Sequence, residues 1–154
     1  KRARDVLMAA KPKWVSMTYG IKEPFASGDI AASVYWNGDA MRTRQETPSV
    51  HYGYPKEGYV LWMDSVVVLK DAQNVENAKL FQNFMMEPES AAMASNFAMY
   101  ANGIKGSSEF MLEILATAPE VQIPAEHLPN GRFIEMCSAE VNKLYSGIWT
   151  EMMK

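Results

Sequence analysis

The chain has 154 residues, 48% of them hydrophobic and 21% charged, with a formal net charge of −3. Such totals describe one globular domain with enough chain for a sizeable core, and they count against a nucleic-acid partner, which needs a basic face. One cysteine, Cys137, and two distant histidines, His51 and His127, leave no internal disulfide and no metal-site spacing, and no apolar run is long enough to cross a bilayer.

The first stretch, "RARDVLMAA", reads as a helix that "KPKW" ends, because the residue before a proline is pushed out of helical backbone. Four residues, "KRAR", are too few to make a basic patch. The chain does not begin with Met, shows no signal-peptide pattern and opens as if inside a helix, so a fragment of a longer protein is expected. "KEPFASGD" has a short helical pattern that Gly28 stops. "IAASVYW", 30–36, is apolar and β-leaning and predicts a buried strand. "NGD" turns the chain, and "AMRTRQE" follows as a helix with a solvated face. "SVHYGY", 49–54, reads as a strand, and Pro55 and Gly58 make "PKEG" a turn. "YVLWMDSVVVL", 59–69, predicts a long strand interrupted by an aspartate.

Helices then dominate. "NVENAKLFQNFMME", 74–87, puts Val75, Ala78, Phe81, Phe84 and Met85 on one face, with Asn74 as N-cap. Pro88 suits the first position of the next helix. "SSEFMLEILATA", 107–118, predicts another, capped by Ser107 or Ser108, and "PEVQIPAEHLPNG" is loop. Val141, Leu144, Tyr145, Ile148, Trp149 and Met152 form the strongest helical period in the chain. Trp14 and Trp149 are expected to pack, as are the twelve methionines, in helical cores. Strands mixed with helices give an α/β class.

Two tryptophans stand beside aspartates, in "YWNGDA" (Trp36, Asp39) and "LWMDSV" (Trp62, Asp64). In a strand, residues i and i+2 share a face, so Trp62 and Asp64 would sit about 7 Å apart. A carboxylate inside an apolar run is costly without compensation. One reading makes both tryptophans core and both aspartates caps. The other joins them in a box with aromatic walls and acidic ends, since indole faces attract cations and carboxylates bind ammonium groups. Such a box suits a ligand that is apolar in the middle and positive at its tips, as linear polyamines are.

"YWNGDAMRTRQ", "YPKEGYVLWMDSVVV", "DAQNVENAKLFQNFMMEPE" and "YANG", in that order, resemble segments of the bacterial periplasmic polyamine-binding proteins, the spermidine/putrescine receptors of ABC importers. The resemblance runs from about residue 17 to 154. It implies the C-terminal half of a two-lobed type II periplasmic solute-binding protein. Residues 1–62 would be part of the second lobe, 63–108 part of the first lobe, and 109–154 the second lobe's C-terminal helices. The crossing near Trp62 and Asp64 would put that pair at the cleft floor. By the same resemblance, Trp36 and Trp62 are aromatic walls, Asp64 the carboxylate for an ammonium, and Tyr100 a contact at the cleft edge. Asp39 matches an acidic position that some members fill with serine. "NGRFIEM" carries Ile134 where a glutamine can sit, with Glu135 as an outside candidate.

The resemblance further implies a periplasmic location, no catalysis and no cofactor. The implied partners are a polyamine, the membrane subunits of an ABC importer and the missing N-terminal half of the same protein. Without that half, Trp36, Trp62 and Tyr100 would be exposed in one apolar patch edged by Asp39 and Asp64. Two alternatives stand beside this reading. One is the same fold binding another cationic amine or an amino-acid derivative. The other is a glycosidase using Asp39 and Asp64 as its carboxylate pair, which no further motif accompanies.

Overall fold

The computed structural model describes residues 2–154; Lys1, at the head of "KRAR", lies outside the described residues. The first helix, α1 (Arg2–Ala10), ends in a 3₁₀ turn containing Pro12, as the proline dictates. Its partner is the last helix, α7 (Ala139–Met152), whose first turn is capped by the Ser138 hydroxyl accepting from the Val141 N–H. Arg4 of α1 donates to Glu151 of α7, 2.7 Å from Nε to Oε2, tying the two ends of the chain together. Short α2 (Lys22–Ser27) stops at Gly28, which takes the left-handed backbone (φ 79°) that glycine adopts without steric cost.

Helix α3 (Asn37–Glu46) begins earlier than its sequence suggests, because "NGD" forms its first turn and not a separate one. It also buries more. Met41 and Thr43 are inside, where "AMRTRQE" reads as a solvated face. Met41 joins Leu115, Ala118 and Val121 in the core, with Met99 and Met111 packed against it. Leu115 comes from α6 (Glu113–Thr117). Between α3 and the turn that follows α6 lies an ion pair: Arg44 grips the fully buried Glu120 with Nε at 2.5 Å and Nη2 at 3.0 Å. A carboxylate at that depth is tolerable only because a guanidinium fork satisfies both oxygens.

The sheet is small. β1 (Tyr59–Leu61) pairs in parallel with β2 (Gly131–Phe133), Tyr59 opposite Gly131 and Leu61 opposite Phe133. The long strand expected over 59–69 therefore ends after three residues, and 62–69 is exposed irregular chain. The strands expected at 30–36 and 49–54 do not form either. Residues 32–36 run without regular structure, mostly exposed, with Val34 fully so. Apolar β-branched sequence is not sufficient for a strand; its N–H and C=O groups need a neighbouring strand, and among the described residues 30–36 has none.

α4 (Val75–Met85) and α5 (Pro88–Ala98) form a helical pair, with Pro88 at the first position of α5. Asn74 occupies the N-cap position of α4 but its side chain makes no capping bond. Val75, Ala78 and Met85 are half-buried, whereas Phe81 and Phe84 of the same predicted face are exposed. α5 is the better-packed member, burying the small residues Ser90, Ala91, Ala92 and Ser95. The helix predicted over 107–118 is broken into a 3₁₀ turn, Ser107–Glu109, and α6, and Gly106 (φ 86°) precedes that turn where a serine cap is expected. Asn96 of α5 explains the break: its amide donates to Phe110 O and its carbonyl accepts the Leu112 N–H at 2.9 Å, holding the intervening chain off a helical path. Trp14 and Trp149 are both more than one-third exposed, and Cys137 is half-buried.

Candidate functional site

The site is built on the N-terminus of α3. Trp36 is its last extended residue (φ −66°, ψ 137°), and its carbonyl accepts the Ala40 N–H at 2.8 Å. Asn37 anchors the turn by donating its side-chain amide to Glu120 O at 2.8 Å. Next comes Gly38, buried, against which the Tyr100 ring lies so closely that a Cβ there would be 2.3 Å from Cε2. Only a residue without a side chain permits that approach.

Tyr100 arrives from the other direction. α5 ends at Ala98, Met99 takes a left-handed backbone (φ 62°), and the chain reverses so that Tyr100 returns towards α3. Asn102 locks this reversal. Its carbonyl accepts the Ile104 N–H and the Ser107 hydroxyl, at 2.9 and 2.8 Å, while its amide donates to Ser95 Oγ at 2.8 Å. Trp62, the first residue after β1, completes the cluster. Its ring centroid lies 5.4 Å from Trp36 and 5.5 Å from Tyr100, both edge-to-face, the arrangement that aromatic quadrupoles favour. Three rings that lie 26 and 38 residues apart in sequence thus share one surface. Trp36 and Trp62 are 44% and 37% exposed, high for tryptophan, so each presents a substantial part of its area outward.

Asp39 lies in the first turn of α3, where a carboxylate also complements the helix dipole. It is only partly exposed and pairs with Arg42 one turn on. Arg42 in turn donates from Nη1 to Ala98 O at 2.6 Å, so one guanidinium joins the start of α3 to the end of α5. Burial first, and the Asp39 carboxylate second, push the Tyr100 phenol above its usual 10.0, while Arg42 and the backbone N–H groups of Asp39 and Gly38 act the other way. Tyr35, raised for the same two leading reasons, donates to Tyr19 O at 2.7 Å.

Asp64 differs from its expected setting. It follows Trp62 by two residues, but in exposed irregular chain and not in a buried strand, and none of the ion pairs among the described residues uses it. The structure therefore joins Trp36, Trp62 and Tyr100 by ring contacts, sets Asp39 beside Tyr100, and leaves Asp64 exposed two residues beyond Trp62. Ile134 and Glu135 are exposed beyond β2. Sequence reading overlooked Arg42 and Asn102. The i, i+3 spacing of Asp39 and Arg42 was the available signal for the first; for the second, "YANG" pointed only to the tyrosine.

The arrangement suits recognition more than chemistry. Outward-facing indoles can cover a methylene chain and attract cations, and carboxylates can accept from ammonium groups. His127 stacks on Tyr54, centroids 4.6 Å apart, in a separate aromatic group with Tyr52 and Tyr59. Among the described residues no cluster of three His, Cys, Asp or Glu could hold a metal ion, and no helix is long and apolar enough to cross a membrane.

The family described as "Bacterial extracellular solute-binding protein" matches residues 6–123. The chain is 24% identical to the putrescine-binding periplasmic protein SpuD of Pseudomonas aeruginosa, over 99% of this chain and 43% of that protein. It is 27% identical to the spermidine/putrescine-binding periplasmic protein of Escherichia coli, over 71% of this chain and 32% of the relative. With the putrescine-binding periplasmic protein PotF of Escherichia coli the identity is 23%, over 97% of this chain and 42% of the relative. The chain thus spans less than half the length of these curated relatives.

Proposed function

This chain belongs to the bacterial extracellular solute-binding protein family, and we propose that it supplies part of a polyamine-binding cleft in a periplasmic receptor that serves an ABC importer. The observation that carries the proposal is the pair of exposed indoles, Trp36 and Trp62, clustered with the half-buried Tyr100, with Asp39 in the first turn of α3 and Asp64 two residues beyond Trp62. Putrescine and spermidine appear in the names of the relatives, and their shape, methylene chains between ammonium groups, is the complement of such a surface. In this reading Trp36 and Trp62 cover the methylene chain, Asp64 accepts from an ammonium group, and Tyr100 closes the edge with a neutral hydroxyl.

The proposed architecture is the C-terminal half of a two-lobed type II binding protein. Residues 1–62 and 109–154 belong to one lobe and 63–108 to the other, with the crossing at Trp62 and Asp64. The exposure of the two indoles supports a further lobe facing them, because an apolar patch of this kind is ordinarily covered by a partner or a ligand. The receptor performs no catalysis; its output is a ligand-loaded form presented to the importer's membrane subunits.

Calorimetry of the intact receptor with putrescine and spermidine tests the proposal. Asp64→Asn removes one charge-assisted hydrogen bond, worth about 1.5–3 kcal/mol, and is expected to weaken binding by about 10- to 150-fold. Unchanged affinity in that variant removes Asp64 from the site. Heat from neither amine in the wild-type receptor removes polyamines as its ligands.

A further inference from the structure

We propose that Arg42 sets the charge selectivity of this cleft, a specificity-determining role that rests on the polyamine reading above. Its guanidinium is held on two sides at once. One side pairs with Asp39, and the other donates to Ala98 O, the last carbonyl of α5, at 2.6 Å. A helix C-terminus is a favourable place for a cation, so the anchor reinforces the pair. Arg42 cannot swing into solvent and release Asp39 without giving up both bonds. Asp39 is accordingly neutralised from inside the protein, although it is the carboxylate next to the Trp36–Trp62–Tyr100 cluster.

The consequence concerns charge number. Asp39, Arg42 and Asp64 together carry one net negative charge, so this half of the cleft attracts one ammonium group where two carboxylates alone would attract two. A ligand with a single cationic tip at this end, or a short diamine, is then disfavoured less against a triamine than it would be with an uncompensated pair. Neutralising Arg42 strengthens the pull on every added ligand charge, whereas neutralising Asp39 leaves an uncompensated guanidinium and weakens it.

The test uses the intact receptor and three probes of rising charge: n-butylamine, putrescine and spermidine. Calorimetry at low ionic strength gives each affinity, because added salt screens the effect. For Arg42→Gln the spermidine-to-butylamine affinity ratio is expected to rise about fivefold or more, the scale of one charge acting across a partly screened cleft. For Asp39→Asn the ratio falls by a similar factor. The Asp39→Asn/Arg42→Gln double variant restores the single net charge and returns near the wild-type ratio. Thermal melts accompany each protein, and if Arg42→Gln fails to fold, Asp39→Asn and the double variant still decide the direction. Equal losses for all three probes, or a ratio unchanged within twofold across the variants, make Arg42 a purely structural clamp and overturn the inference. A wild-type receptor that binds none of the probes fails at the polyamine reading itself, a result distinct from an unchanged ratio.

Discussion

Gly38→Ala is the most informative single change in the α3 turn, because two effects of known sign oppose each other there. The added Cβ would meet Tyr100 at 2.3 Å from Cε2, 2.5 Å from Cζ and 2.7 Å from Cδ2. Carbon atoms rest at about 3.5–4.0 Å, so the ring has to retreat by more than about 1 Å. It is fixed from behind: Asn102 braces the chain reversal that delivers it, and Trp62 stands against its edge. Overpacking of this kind costs about 1–3 kcal/mol. Alanine also favours helix over glycine by about 0.5–1 kcal/mol. The expected net effect is a destabilisation of about 1–2 kcal/mol. In a Tyr100→Ala background the clash is absent and the sign reverses, with Gly38→Ala stabilising by about 0.5–1 kcal/mol. Urea unfolding of the four proteins in this cycle measures both values. Should Gly38→Ala stabilise the protein with Tyr100 present, the close packing of that ring on α3 is wrong, and with it the shape given to the aromatic cluster.

The buried Arg44–Glu120 pair invites a second test. Arg44→Met keeps the aliphatic bulk but strands the Glu120 carboxylate in the core, an expected loss of about 3–5 kcal/mol in urea unfolding, whereas a loss below about 1 kcal/mol would mean that water reaches Glu120. Alkaline pH supplies a third. Burial is the leading cause that raises the phenols of Tyr52, Tyr54 and Tyr100 above their usual 10.0. The folded state therefore holds these protons more tightly than the unfolded state. Their contribution is full below pH about 10 and is lost as the pH climbs through the raised folded values. Stability is expected to fall beyond pH about 10, and Tyr54→Phe to soften that fall; phenolate absorbance appearing for all tyrosines together at their ordinary value would contradict it.

Helix was the legible part of this sequence. α1, α2, α4, α5 and α7 follow from periodicity and from local stops such as Pro12, Gly28 and Pro88, since a helix satisfies its hydrogen bonds within its own segment. Strands were not, because a strand depends on a neighbour that local sequence does not name. "IAASVYW" and most of "YVLWMDSVVVL" have β-leaning composition but no ladder, while "GRF", where no strand is expected, pairs with Tyr59–Leu61. The candidate site divides in the same way. Residue types and the Trp–Asp pairing marked out Trp36, Asp39, Trp62 and Asp64 without any coordinates, and the family resemblance added Tyr100. Tertiary structure alone decided that three rings distant in sequence meet, that Arg42 is anchored on Ala98 O while Asp64 lies exposed, and that Gly38 is the space Tyr100 fills. The Arg42 anchor and the packing of Tyr100 on Gly38 depend on how α5 ends against α3, a contact between segments about 60 residues apart that no local pattern encodes.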